Sequence, residues 1–216
     1  MIKQETVYEM RLVSALEKVF LDERPVYRPE CMKLTALKGE TVSFQAACTC
    51  TSFMKNRVKV RIESPISDRI HVRKVENVPA GRVCGPIVDD NYLKTESGLY
   101  PDLLRELVDG EVDIFPQKWR SIWIDIEVTE DVKAGLYPVT VILEKDGETL
   151  ARAATEVTIY DAVLPKQKMM HTEWFYLDCL ADYYHVPVFS EEHWEIITNY
   201  LKEYVKRGCN MILTPL

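Results

Sequence analysis

WRSIWIDIEVTEDVKAGLYPVTVILEKDGETLARAATEVTIY, residues 119–160, decides how the chain folds, because its apolar residues fall on alternate positions in three consecutive segments. Ile122, Ile124, Ile126 and Val128 share one face while Trp123, Asp125 and Glu127 share the other, the two-residue period of a half-buried strand. After a turn over residues 130–135, a second segment directs Tyr137, Val139, Val141 and Leu143 inward. Asp146-Gly147 then supplies the positive φ of a tight hairpin, and a third strand returns through Ala151, Ala153, Val157 and Ile159. The three segments are expected to form a β-meander. Pro138 lacks a backbone N–H, so it belongs near a strand start or on a sheet edge.

Upstream the same period recurs. Val42, Phe44, Ala46 and Cys48 alternate with Thr41, Ser43, Gln45 and Thr49, which predicts a strand with one wet face. Arg57 to Glu63 alternates charges with Val58, Val60 and Ile62 until Ser64-Pro65 ends it, and Ile70 and Val72 begin another strand. Tyr8 to Phe20 is ambiguous, since Val13, Leu16, Val19 and Phe20 also fit a helical stripe. The β surroundings and the proline-broken Val26 to Pro29 favour a strand, by pairing that overrides propensity. Between Val78 and Leu107 the period is lost at Pro79, Gly81, Gly85, Pro86, Gly98 and Pro101, and a long loop is expected. Tyr92, Leu99, Tyr100 and Leu103 would either pack it down as a cover or touch a ligand. With roughly seven strands, residues 1–162 are expected to form an antiparallel immunoglobulin-like β-sandwich.

The pattern changes beyond Tyr160. DAVLPKQK, residues 161–168, has the proline and charges of a connection, and Met169 to Tyr176 is mostly apolar and aromatic. Ser190 can cap a helix with Glu191 and Glu192 in its first turn and Lys202, Lys206 and Arg207 near its end, matching the macrodipole at both ends. Trp194, Ile197, Leu201, Tyr204 and Val205 would be its buried stripe, and Gly208 its stop. Met211 to Leu213 is then a short parallel-type strand. Residues 163–216 thus read as strand, helix, strand. One such unit leaves a sheet face and both edges uncovered, so the 216 residues are expected to be the front part of a longer protein, or the unit docks on the sandwich or on another chain.

The remaining numbers exclude more than they indicate. A 47% apolar composition is ordinary for a folded chain, and a net charge of -7 with no basic stripe argues against nucleic acid and anionic membrane surfaces as partners. No leader pattern opens the chain and no window approaches a membrane span of about 18 apolar residues, which leads to a cytoplasmic expectation. A signal removed before Met1 would leave the same pattern. Of Cys31, Cys48, Cys50, Cys84, Cys179 and Cys209, none forms a C-x-x-C pair; Cys48 and Cys50 continue the Val42 series as small core residues. His171, His185 and His193 lack H-E-x-x-H spacing, so no metal is expected. His171 reads as a buried strand histidine and His193, at the third helical position, as a solvated or dipole-neighbouring one. There is no G-x-S-x-G, and Gly81-Arg-Val-Cys-Gly85 lacks the Lys and helix of a phosphate loop, so no cofactor is expected either.

Three passages carry a family likeness: EMRLVSALEKVFLDERP, GLYPDLLREL at residues 98–107, and HTEWFYLDCLADYYHVPVFSEEHW with RGCNMILTPL. They resemble glycoside hydrolase family 123 of bacteria, and more closely the related group catalogued as domain of unknown function 4091, over nearly the whole chain. The resemblance implies a β-sandwich followed by a (β/α)8 barrel, with Met169 to Tyr176 as barrel strand one, Glu191 to Arg207 as its first helix and Met211 to Leu213 as strand two. It also implies retaining, substrate-assisted cleavage of β-linked N-acetylhexosaminides, in which one carboxylate stabilises the cyclised acetamido intermediate and a neighbouring acid protonates the leaving oxygen. That Asp-Glu pair lies on a later barrel strand in the family. Asp22-Glu23 and Glu130-Asp131 do not match it, so no catalytic residue is carried over and the chain alone is expected to be inactive.

Barrel sites form at the C-terminal strand ends, here Trp174, Phe175, Tyr176 and Asp178 after strand one and Thr214 after strand two. An aromatic ring offers a stacking face for sugar C–H groups and a carboxylate accepts from hydroxyls, so Trp174, Tyr176 and Asp178 are the candidate carbohydrate contacts. The competing reading makes Trp174 and Phe175 barrel core and Asp178 a turn cap. A second functional class also stands: a non-catalytic sandwich that binds glycan or scaffolds assembly, with Trp119 and Trp123 as candidates for an exposed aromatic platform, Trp123 fitting a second-core or interdomain position equally well. Oligomeric state is not encoded in these patterns.

Overall fold

The computed structural model describes residues 6–26, 28–81 and 91–214. The long Val78–Leu107 expectation therefore falls partly outside the described residues, as do Gly81-Arg-Val-Cys-Gly85 beyond Gly81, Cys84, and Tyr27 within the proline-broken segment. The chain divides into two compact units, one up to Leu164 and one from Pro165 onward. Among the described residues no helix is long and apolar enough to cross a membrane.

The first unit is a mainly β, immunoglobulin-like sandwich of ten strands rather than seven. In chain order they are β1 (Tyr8–Ser14), β2 (Lys33–Lys38), β3 (Thr41–Cys50), β4 (Asn56–Glu63), β5 (Ile70–Ala80), β6 (Gly98–Glu106), β7 (Glu111–Ile114), β8 (Arg120–Glu127), β9 (Gly135–Lys145) and β10 (Glu148–Val163). One sheet has the order β1-β3-β8-β5-β6 and the other β2-β10-β9-β4-β7. Every neighbouring pair is antiparallel except β2 with β10, which runs parallel.

The inward residues of both sheets meet in one core. Phe44, Ile122, Ile124 and Ile126 come from the first sheet; Val58, Val139, Val141, Leu143 and Val157 come from the second. Each of these side chains removes apolar surface from water at about 25 cal/mol per Å², which is why the alternating segments hold together as two layers. Cys48 and Cys50 lie in that core as free thiols, and burial pushes the Cys48 thiol up to about 12, leaving it protonated and inert.

Four expectations change here. The three segments of residues 119–160 are not a meander: β8 pairs with β3 and β5, whereas β9 and β10 pair with each other in the opposite sheet. Alternation shows that one face is buried, but the same face is buried whichever sheet the strand joins. The lost period after Val78 hides β6, an edge strand beside β5 with a bulge between Glu76 and Asn77 that admits Pro101. β1 confirms a strand at the ambiguous N-terminal stretch, but only to Ser14.

The outer face of β3 is not wet either. Gln45 and Ala47 are buried beneath the segment after β1: Gln45 Nε2 donates to the carbonyls of Ser14 (2.9 Å) and Glu17 (2.8 Å), and its Oε1 accepts from Ser121 (2.6 Å). Beside it Asp125 accepts from Ser43 Oγ (2.6 Å) and Trp123 Nε1 (2.7 Å) and pairs with Arg73 at 2.9 Å. A buried carboxylate is tolerated because its lone pairs are filled.

In the second unit β11 (Thr172–Trp174) and β12 (Met211–Leu213) are parallel, with Trp174 opposite Leu213. Between them lie two helices, not one: α1 (Leu177–Tyr184) and α2 (Glu191–Lys206). α1 is only eight residues long and ends at His185 in a left-handed conformation, so its stripe is too short to stand out from sequence. Ser190 accepts from the His193 amide at 3.2 Å as the α2 cap, and Gly208 follows the helix at φ +89°.

Candidate functional site

Backbone pairing sets where the site residues emerge. The Phe175 amide donates to the Leu213 carbonyl at 2.9 Å, extending the β11–β12 pair to its C-terminal end before the chain turns into α1. Trp174 closes β11 and is 64% exposed; Tyr176, 44% exposed, precedes α1. Being two apart in an extended segment, both side chains leave on the same side, and their rings lie nearly parallel, 11° apart with centroids at 5.8 Å. Phe175 points the other way and packs against Tyr200 (6.4 Å) and Tyr204 (5.9 Å) of α2.

Asp178 occupies the first turn of α1, where the helix dipole favours a carboxylate, and its Oδ1 accepts from the Cys179 amide at 3.0 Å. It is exposed, as are Trp174 and Tyr176, so all three candidates stand at one end of the β11–α1 junction with surface free to meet a ligand. Thr214 follows β12 directly.

The helix beneath this junction holds it from below. Tyr204 donates its hydroxyl to the Glu173 carbonyl at 2.9 Å and accepts from the Glu173 amide, tying β11 to α2. Loss of water contact pushes the Tyr204 phenol above its ordinary value of 10, so the donor stays protonated. A hydrogen bond with Tyr184 does the same for Tyr200, the two hydroxyls lying 3.0 Å apart.

Several sequence assignments move. Of the proposed α2 stripe only Ile197 is fully buried; Trp194 and Val205 are exposed, Trp194 stacking on Phe189 at 5.6 Å. Of the two readings of His193 the solvated one fails: it lies in the first turn of α2 but is wholly buried, because its ring faces α1. His171 lies ahead of β11 with its side chain 43% exposed, 3.3 Å from Glu173. Its place at the strand's open end removes the burial that strand periodicity implied. In the sandwich, Trp119 is buried with Val13, Val19 and Ala47, and Trp123 is turned into the Asp125 network, so the platform expected from these two rings does not form. Their outward parity was visible in the sequence, but the cover laid down by residues 15–21 was not. Among the described residues no group of three or more His, Cys, Asp or Glu is gathered as metal ligands would be.

Comparison with known proteins adds the following. A model described as "Glycoside hydrolase 123 N-terminal domain" matches residues 20–145, and one described as "Glycoside hydrolase 123, catalytic domain" matches residues 174–216. The fold is similar to that of a family 123 glycoside hydrolase from Clostridium perfringens, studied for glycolipid glycan hydrolysis: TM-score 0.69, 16% identity, covering 95% of this chain and 37% of that one. This chain thus spans a little over a third of that enzyme's length. A CARDB domain from Pyrococcus furiosus (TM-score 0.35, 6% identity, 72% of this chain and 96% of that one) is far less similar. So is a β-glucosidase from Listeria innocua (0.34, 11%, 74% and 17%), and at these scores neither bears on function. No curated protein matches the chain in sequence.

Proposed function

Since the chain belongs to glycoside hydrolase family 123, we propose that residues 172–178 supply part of a carbohydrate site, with Trp174 and Tyr176 as the stacking platform and Asp178 as hydroxyl acceptor. The observation that carries this is the exposed, nearly parallel Trp174–Tyr176 pair at the C-terminal end of a parallel strand. A hexopyranose has one face of axial C–H groups that suits an aromatic ring, and its equatorial hydroxyls need acceptors at the ring's rim. A carboxylate two residues beyond Tyr176 meets that need.

Family membership supports β-linked N-acetylhexosaminides as the ligand class, and the Clostridium perfringens relative is described through glycolipid glycan hydrolysis. Cleavage itself requires an adjacent pair of acids around the anomeric carbon, and no such pair ends a strand among the described residues. In this reading the 216-residue polypeptide contributes to binding, and turnover by it alone is not expected.

Titrating this chain with methyl β-glycosides of N-acetylgalactosamine and N-acetylglucosamine, followed by tryptophan fluorescence, tests the reading. A saturable change is expected that Trp174→Ala abolishes and Trp194→Phe leaves in place. An identical response in the Trp174→Ala protein would overturn it. A chromogenic substrate gives the second check, with no release by the purified chain as the expected result.

A further inference from the structure

The one wholly buried ionisable side chain of the second unit among its described residues is His193, and its bonds show what it is for. The Phe189 amide can only donate, so the Nδ1 it meets at 2.9 Å must be unprotonated. The Leu177 carbonyl can only accept, so the Nε2 at 2.9 Å must carry the proton. One neutral tautomer satisfies both. The two bonds leave opposite ends of a rigid ring and join the segment after α1 to the first residue of α1.

Both attachment points matter. Leu177 stands between Tyr176 and Asp178: its carbonyl lies in the peptide plane that leads into Asp178, and holding it fixes the first residue of α1, to which Tyr176 is joined. Phe189 has φ +60°, a conformation that a bulky residue holds only when its surroundings impose it. The His193 amide is itself held by Ser190, at 3.2 Å, so the ring is anchored to the capped end of α2. An apolar side chain would fill the same space between α1 and α2, beside Ala181 and Ile197, with no polar atoms to satisfy. What the imidazole adds is direction.

We propose that His193 is a positioning residue for the sugar platform: through Nε2 it holds the Leu177 carbonyl and so sets Tyr176 and Asp178 relative to Trp174. This rests on the reading of those three residues as a carbohydrate site. Two substitutions separate the bonds. His193→Gln can place an amide N–H near the Nε2 position and keep the Leu177 bond; His193→Asn can place an acceptor near Nδ1 and keep only the Phe189 bond.

The test compares both variants with the wild-type 216-residue chain by amide hydrogen exchange and by titration with methyl N-acetyl-β-D-galactosaminide. In His193→Asn, exchange at residues 180–184 of α1, whose amides bond within the helix that starts at Leu177, is expected to rise about tenfold or more while residues 198–206 of α2 keep their protection. The same variant should bind the glycoside about tenfold more weakly, and His193→Gln should stay within about threefold of wild type in both readouts. Loosening spread evenly along α2, or wild-type exchange at 180–184 in His193→Asn, would overturn the proposal. If wild type itself ignores the glycoside, the carbohydrate reading fails alone, and the exchange data still decide the role of His193.

Discussion

Up to Leu164 the chain buries Phe44, Ile122, Ile124, Ile126 and Leu143 completely between two five-stranded sheets, whereas the described residues of the second unit bury only Ala181, His193, Ile197 and Cys209. The contrast has a physical origin. Two facing sheets remove both inner surfaces from water, while a pair of three-residue strands with two helices leaves Trp174, Tyr176, Met211, Ile212 and Leu213 exposed. The sandwich therefore carries rigidity, and the second unit carries surface able to meet a ligand. Directional polar bonds from His193 and Tyr204 do in that unit what bulk apolar packing does in the first.

The comparison can be broken from either side. The largest effect is expected at the centre of the sandwich, where Ile124→Ala should cost about 4 kcal/mol in urea unfolding, since the cavity cannot collapse between two pinned sheets. A loss below about 1 kcal/mol would mean that the core is less closely packed than its burial implies. Next is Asp125→Ala, which strands Arg73, Ser43 and the Trp123 N–H and should cost about 3 kcal/mol; Asp125→Asn should recover part of it by keeping acceptors in place. In the second unit Ser190→Ala removes the α2 cap and is expected to cost about 1 kcal/mol, with faster exchange confined to residues 191–194.

The smallest effect is electrostatic. Lys74, and then Arg120, hold the Glu76 carboxyl below its usual 4.5. A group depressed in the folded state stabilises fully above the unfolded value and loses that contribution as pH falls through the folded one. Melting temperature measured from pH 6 downward should thus fall less steeply below 4.5 in Glu76→Gln than in wild type, with about 0.5 kcal/mol at stake. Equal slopes would show that the ion pairs are fully screened.

Much of the sandwich could be read from single residues. Ile122, Ile124 and Ile126 announced β8, Asp146-Gly147 its neighbours' hairpin with both residues at positive φ, and Ser190 and Gly208 the limits of α2. β6 was missed because Pro101 and Gly98 look like loop chemistry, and an edge strand tolerates both. The aromatic pair of the proposed site was legible as residue types at a strand end. That Trp174 and Tyr176 would stack while Phe175 turned to Tyr200 and Tyr204 followed from two-residue parity once the strand end was placed.

Local periodicity was enough to indicate strands, a capped helix and a change of pattern beyond Tyr160, because each depends on neighbours within a few positions. Sheet membership, the covered outer face at Gln45, and the buried imidazole of His193 depend on which distant segment lies opposite, and only the folded chain decides that. The physical reason is that a buried face presents the same alternating pattern whatever covers it, whereas the cover itself is chosen by the sum of long-range packing and hydrogen bonding.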